Sequence, residues 1–395
     1  MRRGLFGLVG VAIAVLGIVV ASQIGTLFPG GAVAATSSPG PSPSPAPSPT
    51  LVAAEPSQTP APTEQPPPTP PPPVLVPAPL TGLLVTPAAA SRHVIAVMVD
   101  DLSPARPQSG FNSASIVWHA PAEGGIPRYM MLFQDTVPGG VGPVRSSREY
   151  YIEWAAEWGA MYAHAGGSPQ ALETLGAKGH GQWVYNTDEF RWGGPYFWRT
   201  NDRLAPHNLY TDGQHLRALA KRVGAADAPI EPVWTFAPDA DPLERPRGGT
   251  IRIDYPTEII SYRYDAASNT YIRYINSSKK PQRDRVGNEI VAPKNVVILR
   301  MSFGPLNDGH PQKHRLEAND VGKGVAYIAT NGHTIKGQWR KASPTAPTLL
   351  YDGAGNPVVL TAGQTFVQVI SLAYTYAIHD GQPPLWIPPK RRDDV

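Results

Sequence analysis

The sequence predicts an α/β (α+β) protein. The expected form is a mixed-sheet layered sandwich, with helices mainly in the N-terminal half and a β-rich C-terminal half. It stands behind an N-terminal membrane segment and a proline-rich linker. Three observations predict this. Apolar runs such as HVIAVMV (His93–Val99) lack the alternation of a half-solvated strand and fit a strand covered on both faces. Helical spacing is confined to stretches before about residue 222. From about Glu231 onward, alternating strand patterns take over.

Met1-Arg2-Arg3 precedes an almost wholly apolar run, Leu5–Ile24. Arginines before such a run keep the N-terminus in the cytoplasm and send the rest across. About twenty apolar residues suffice to span a bilayer, which favours a retained helical anchor within residues 1–34. Ala32-Val33-Ala34 also fits a small-x-small cleavage site, which would release the chain near Ala34. Either way the bulk of the protein is expected outside the cytoplasm. Residues 35–79 are dense in proline, which fixes φ and removes the amide donor, so neither helix nor central strand is expected. As extended polyproline-like chain of about 3 Å per residue, the segment would reach on the order of 100 Å, a stalk through the envelope. A disordered tail with no length requirement is the plainer reading.

Two folded regions are expected, 80–230 and 231–380, with an exposed tail at 381–395. In the first, strands are expected at His93–Val99, Ser115–His119 and Tyr129–Gln134, with turns at Glu123-Gly124-Gly125 and Pro138-Gly139-Gly140. Tyr151, Trp154, Ala155 and Trp158 share one face at three- and four-residue spacing, predicting a helix over Arg148–Trp158. A short strand at Met161–Ala165 should follow. Ser168 then suits an N-cap, Pro169 the first helical position and Gly176 the stop. A further helix is expected at about Asp212–Arg222, capped by Thr211. In the second region strands are expected at Ile251–Asp254, Ile259–Tyr264, Tyr271–Ile275, Val296–Met301, Val325–Thr330, His333–Trp339, Leu349–Tyr351 and Phe366–Ile370.

Net charge is +3, from 34 Lys+Arg against 31 Asp+Glu, so no global field steers the chain onto nucleic acid. With no cysteine, disulfides, thiolate metal sites and cysteine nucleophiles are excluded.

Separated phrases in a fixed order resemble the YerB-like family of bacterial envelope proteins. They are PLTGL (Pro79–Leu83), VIAVMVDDLSPARPQSG (Val94–Gly110), EGGIPRYM (Glu123–Met130), GPVRSSR (Gly142–Arg148), HAGGSPQA (His164–Ala171) and APHNLY (Ala205–Tyr210). GKGVAYIATNGHTIKGQWRK (Gly322–Lys341) and YDGAGNPVVLTAGQTFVQV (Tyr351–Val369) are similar to its second region. The resemblance covers essentially the whole folded part. It implies a mixed α/β sandwich-like fold in two regions and no reaction. Members are described as lipoproteins, but this chain has no cysteine for a lipid, so its tether is expected to be the N-terminal helix.

Chemistry is concentrated in Val141–Gln170. A Gly-Gly-Ser turn entering a helix exposes backbone N–H groups to an anion, and arginines can fork onto phosphate or carboxylate. This makes Arg145, Ser146, Arg148, Gly166, Gly167 and Ser168 the candidate ligand-binding set. The plainer alternative is a capped helix with arginines paired to Asp100, Asp101 or Glu123. Candidate catalytic residues are Asp100, Asp101, Glu123, His164 and His207. Neighbouring strand residues point to opposite faces, so at most one of Asp100 and Asp101 should enter a cleft. Solvated loop acids are the commoner situation for both. His164, His207 and an aspartate are conceivable metal ligands, but no short ligand motif appears, and no metal or other cofactor is expected. The G-G-S-P-Q frame around Ser168 lacks the second glycine of a nucleophile elbow. Aromatics between Trp183 and Trp198 read mostly as core, with Trp192 the one expected to be exposed.

These features lead to an extracytoplasmic protein binding an envelope component in a polar cleft, with a cell-wall polymer or envelope protein as partner. An envelope hydrolase or transferase using the acidic and histidine candidates is a second hypothesis, and a protein-docking scaffold a third.

Overall fold

A computed structural model describes residues 73–176 and 183–382. The expected anchor at Leu5–Ile24, nearly all of the linker and the end of the tail lie outside these residues. Among the described residues no helix is long and apolar enough to cross a membrane.

The frame is a ten-stranded mixed sheet built from both halves of the chain. Its strands from the first half are β1 (Ile95–Asp100), β2 (Ile116–Glu123), β3 (Ile126–Phe133), β4 (Met161–His164) and β5 (Tyr185–Asp188). Helices α1 (Glu149–Ala156), α2 (Pro169–Gly176), α3 (Glu189–Tyr196) and α4 (Gly213–Val223) belong to the same half. The second half supplies β6 (Thr250–Asp254), β7 (Ile259–Asp265), β8 (Thr270–Ile275), β9 (Asn295–Met301), β10 (Gly322–Thr330), β11 (His333–Lys341), β12 (Leu349–Tyr351), β13 (Thr365–Ser371) and β14 (Thr375–His379). The large sheet runs β12-β11-β10-β9-β13-β2-β3-β1-β4-β5, and a smaller sheet runs β8-β7-β6-β14. The two halves meet where β13 pairs in parallel with β2, Gln368 opposite His119. β13 is also parallel to β9, and β1 is parallel to β4, so several strands point their carboxyl ends the same way.

Burial explains the expected apolar runs. Along β1, Ala96 and Met98 face one core, and Ile95, Val97 and Val99 face the other. The first core is closed by α1, whose Trp154 stacks on Trp118 with ring centroids 4.6 Å apart. The second is closed by the smaller sheet, through Ile253, Ile260 and Tyr262, and by Leu216 and Leu219 of α4. The protein is therefore layered as helices, sheet, then sheet plus helix, as an α+β sandwich requires.

Several local expectations need correction. The cap of α4 is Asp212, whose carboxylate accepts from the His215 N–H at 2.8 Å; Thr211 is buried and donates its hydroxyl to the Tyr196 carbonyl. The aromatic span is divided: Phe197 is core and Trp183, Trp192 and Tyr196 pack part-buried against the core, but three others are exposed. Phe190 is 78% exposed, and Tyr185 and Trp198 are exposed, whereas Trp192 is half-buried beneath the guanidinium groups of Arg191 and Arg222. Phe190 lies on α3, which kinks at Gly193 and Gly194 and has no fully buried residue.

One buried acid pair makes stability depend on pH. Asp320 is 5% exposed, and burial and then the neighbouring Glu153 carboxylate push its carboxyl up to about 9. A carboxyl raised in the folded state holds its proton more tightly there than in the unfolded chain. Its stabilising contribution is complete below the ordinary carboxyl range and is lost as pH rises from about 4 towards 9. Asp320→Asn should therefore raise the thermal midpoint at pH 8 and change it little at pH 4. An equal shift at both pH values in a calorimetric series would refute this.

Candidate functional site

The carboxyl ends of β4, β1, β2, β13 and β9 lie along one end of the large sheet. This is where open α/β sheets gather their ligands, and the charged residues collect there. Asp100 and Asp101, at the end of β1, are each 2% exposed, so neither is a solvated loop acid. They point different ways, as their adjacency requires.

Asp100 faces the 142–148 segment. Its Oδ2 lies 2.6 Å from His207 Nδ1 and 3.2 Å from Arg145 Nε. Arg145 is positioned by its backbone, which donates to the Met98 carbonyl and accepts from the Ala165 N–H. Beside this pair, Arg128 begins the β3 edge opposite Asp100 and donates to the Ser146 carbonyl at 2.9 Å. Its other terminal nitrogen lies 2.5 Å from Glu123, which also pairs with Arg148. Burial lowers the pKa of all three arginines, and the opposing charge of Asp100 favours the charged form of Arg128 and Arg145. The expected partners of the two arginines are thus present: Asp100 for Arg145 and Glu123 for Arg148.

The Gly-Gly-Ser turn is equally engaged. Gly166 sits at φ +64 and donates to Asp188 at 3.0 Å. Gly167 pairs with Ser147, and Ser168 donates to the Ser147 carbonyl. The Ser168 hydroxyl accepts from the Ala171 N–H at 3.3 Å, the N-cap role expected of it. His164 is fully buried and bonded to the Gly166 carbonyl at 2.9 Å and to Asn186 at 2.8 Å, not to either aspartate.

Asp101 enters a second cluster that the sequence did not single out. Its Oδ2 lies 2.8 Å from His119 Nε2, and its Oδ1 accepts from Gln108 at 2.9 Å and from Arg106 at 3.0 Å. Arg106 also pairs with Glu258, whose Oε1 lies 3.6 Å from His119 Nε2. His119 Nδ1 lies 2.9 Å from Gln368 Oε1, and the ring stacks on Tyr129 at 4.3 Å. Burial favours the neutral form of both Asp101 and His119. The His119 hydrogen bond and the Arg106 charge overcome it at Asp101, leaving that carboxyl below its usual range, whereas the His119 ring is lowered by burial. Glu258 arrives from the tight β6–β7 turn, in which Tyr255 donates to the Glu258 carbonyl at 2.9 Å.

A cavity of about 470 Å³ opens at the same end of the sheet. Its walls include Gly124, Pro256, Phe303, Arg315 and Tyr374. The β2–β3 turn is tight because Gly124 and Gly125 both have positive φ, +57 and +80. A Cβ on Gly125 would meet Pro256 at 2.6 Å, so this turn can lie on the β6–β7 turn only as glycine. Tyr374 packs edge-on against Tyr255, which separates the cavity from the Asp101–His119–Glu258 cluster.

These features define a class: an α+β sandwich with one shared mixed sheet and a charged network at its carboxyl end. The crystal structure of YerB from Bacillus subtilis has this fold, with a TM-score of 0.67 and 26% identity over 76% of this chain and 99% of that one. Residues 80–226 match the family described as "Protein of unknown function (DUF3048) N-terminal domain", and residues 251–367 match its C-terminal domain. "Putative lipoprotein YerB" of Bacillus subtilis is 30% identical over 298 residues, 74% of this chain and 86% of that protein. The chain belongs to this YerB-like family, for which no activity is assigned.

Proposed function

We propose that the folded unit is an extracytoplasmic module that binds a cell-envelope component at the carboxyl end of the shared sheet. The observation carrying this reading is the cavity of about 470 Å³ beside the charged network. Its chemistry suits an anionic glycan or peptide fragment. Phe303 and Tyr374 offer rings, and Arg315 contributes a guanidinium that pairs through Nη1 with Asp308 and keeps a buried Nε without a hydrogen-bond partner. An extracytoplasmic placement accords with the lipoprotein name carried by the Bacillus relative, and the N-terminal apolar run would supply the tether, with the proline-rich stretch as the stalk; the linker expected to run to Pro79 ends earlier, since Val76–Pro77 already pairs with Leu84–Val85 and Ala78 and Pro79 are buried.

The test is incubation of the full-length protein, in detergent, with purified peptidoglycan and its soluble muropeptides. Retention without released fragments, weakened about tenfold by Arg315→Ala, is the expected result. Release of fragments would favour the hydrolase reading, with Asp100, Asp101, Glu123, His164 and His207 as its candidates. Neither retention nor release would refute both.

A further inference from the structure

We infer that Asp101 Oδ2, His119 Nε2 and Glu258 Oε1 form a binding site for one divalent transition cation of the zinc or manganese type. The three donor atoms lie within 4.8 Å of one another, and all three residues are buried. The inward oxygen of Glu258 has no hydrogen-bond partner although the residue is 6% exposed. An ionised carboxylate oxygen left bare in the interior is costly, and a coordinated cation removes that cost.

The surrounding bonds turn each donor inward. Arg106 holds the outer oxygens, binding Asp101 Oδ1 at 3.0 Å and pairing with Glu258 Oε2. Gln108 adds a second bond to Asp101 Oδ1 at 2.9 Å. With Nδ1 of His119 donating to the Gln368 side-chain oxygen at 2.9 Å, release of the Nε2 proton that otherwise bridges to Asp101 leaves the ring's lone pair on Nε2 for a cation. That lone pair then faces two carboxylate oxygens, at 2.8 and 3.6 Å. A proton on Nε2 would serve Asp101 and leave the Glu258 oxygen without a partner, whereas a cation would engage all three donors. An imidazole whose other nitrogen donates to a side-chain oxygen is the usual outer support of a metal-bound histidine. One nitrogen and two carboxylate oxygens suit zinc or manganese and give a thiophilic ion no sulfur.

The site also joins the two halves of the chain, which Arg106 and Gln368 already bridge. Asp101 and His119 come from the first half, and Glu258 from the β6–β7 turn of the second. Tyr255 of that turn donates to the Gln368 side-chain oxygen at 3.1 Å, so the support of His119 and the delivery of Glu258 share one turn. A bound cation would fix this turn, whose Pro256 forms part of the cavity wall.

The experiment is cobalt titration of full-length wild-type protein, followed by its visible d–d absorption and by zinc competition. The expected result is a band saturating at about one equivalent and abolished by zinc, with a higher thermal midpoint in the cation-bound form. Gln368→Leu should weaken binding about 10- to 100-fold, and Glu258→Gln, which keeps the side chain's shape, at least as much. Absence of a saturable band in the wild type would overturn the proposal. So would a band unchanged in Glu258→Gln, which would place the ion on surface histidines. A His119 ring doubly protonated at neutral pH and unaltered by excess zinc, read from its ring-nitrogen resonances, would show that a proton fills the role instead.

Discussion

Replacing Lys341 by methionine is expected to lower folding stability by about 3–5 kcal/mol, because it leaves Glu157 as a buried, unpaired carboxylate. Both side chains are fully buried, and Lys341 Nζ lies 2.7 Å from Glu157 Oε1. The same ammonium donates to the Ala346 carbonyl at 2.7 Å, and Thr348 donates to Glu157 through both its hydroxyl and its backbone. Burial raises the Glu157 carboxyl despite these bonds. Without the lysine charge it should rise further, so the deficit should shrink as pH falls and the carboxyl takes up a proton. Pairing the change with Glu157→Leu removes the orphaned charge and should recover most of the loss. Urea unfolding at pH 7.5 and pH 5, followed by tryptophan fluorescence, measures all three. A single variant within about 1 kcal/mol of wild type at pH 7.5 would contradict the argument.

Trp154→Ala is expected to cost a similar amount, about 3–5 kcal/mol, through lost apolar burial and the cavity left behind. Trp154 is 1% exposed and stacks on Trp118 with an interplanar angle of 13°. It also meets Tyr151 edge-on at 5.1 Å. Tyr151 inserts its hydroxyl where β2 meets β3, accepting from the Ala120 N–H and donating to the Arg128 carbonyl at 2.6 Å. Loosening α1 should therefore disturb the carboxyl end of the sheet as well as the core. Hydrogen exchange should show reduced protection at Ala120 in Trp154→Ala, and less reduction in Trp154→Phe. A stability loss with unchanged exchange at Ala120 would separate the helix from the site.

The helix carrying Trp154 was legible from its aromatic spacing, as β1 was from a run apolar on both faces. Both signals are local and survive without knowledge of the partner. β5 was missed because Tyr185–Asp188 is polar and half exposed at a sheet edge. β14 was missed because its residues are mostly part-buried in the smaller sheet rather than in the core. At the site, Asp100, Arg145, His207, Glu123 and Arg148 could be collected from neighbouring phrases. His119 and Glu258 could not. His119 lies within an otherwise ordinary strand, and Glu258 within a short turn; they meet only because β13 and the β6–β7 turn fold back on β2. Within the sequence, the cue was the polarity of His119 and Gln368 in two runs otherwise apolar enough for a sheet interior. Only the register placing those two residues opposite one another gives that cue meaning.

The position of β13 carries a consequence for biogenesis. Thr365–Ser371 lies between β9 and β2, so the middle of the sheet is a strand made almost last. A nascent chain emerging N-terminus first exposes an unpaired edge of β2 until that strand appears, and long-range parallel pairing of this kind forms slowly. The first half thus waits, incomplete and open to unwanted strand pairing, for nearly the whole polypeptide to be delivered. A chain stopped short of residue 365 would forfeit the seam of the sheet rather than a peripheral ornament.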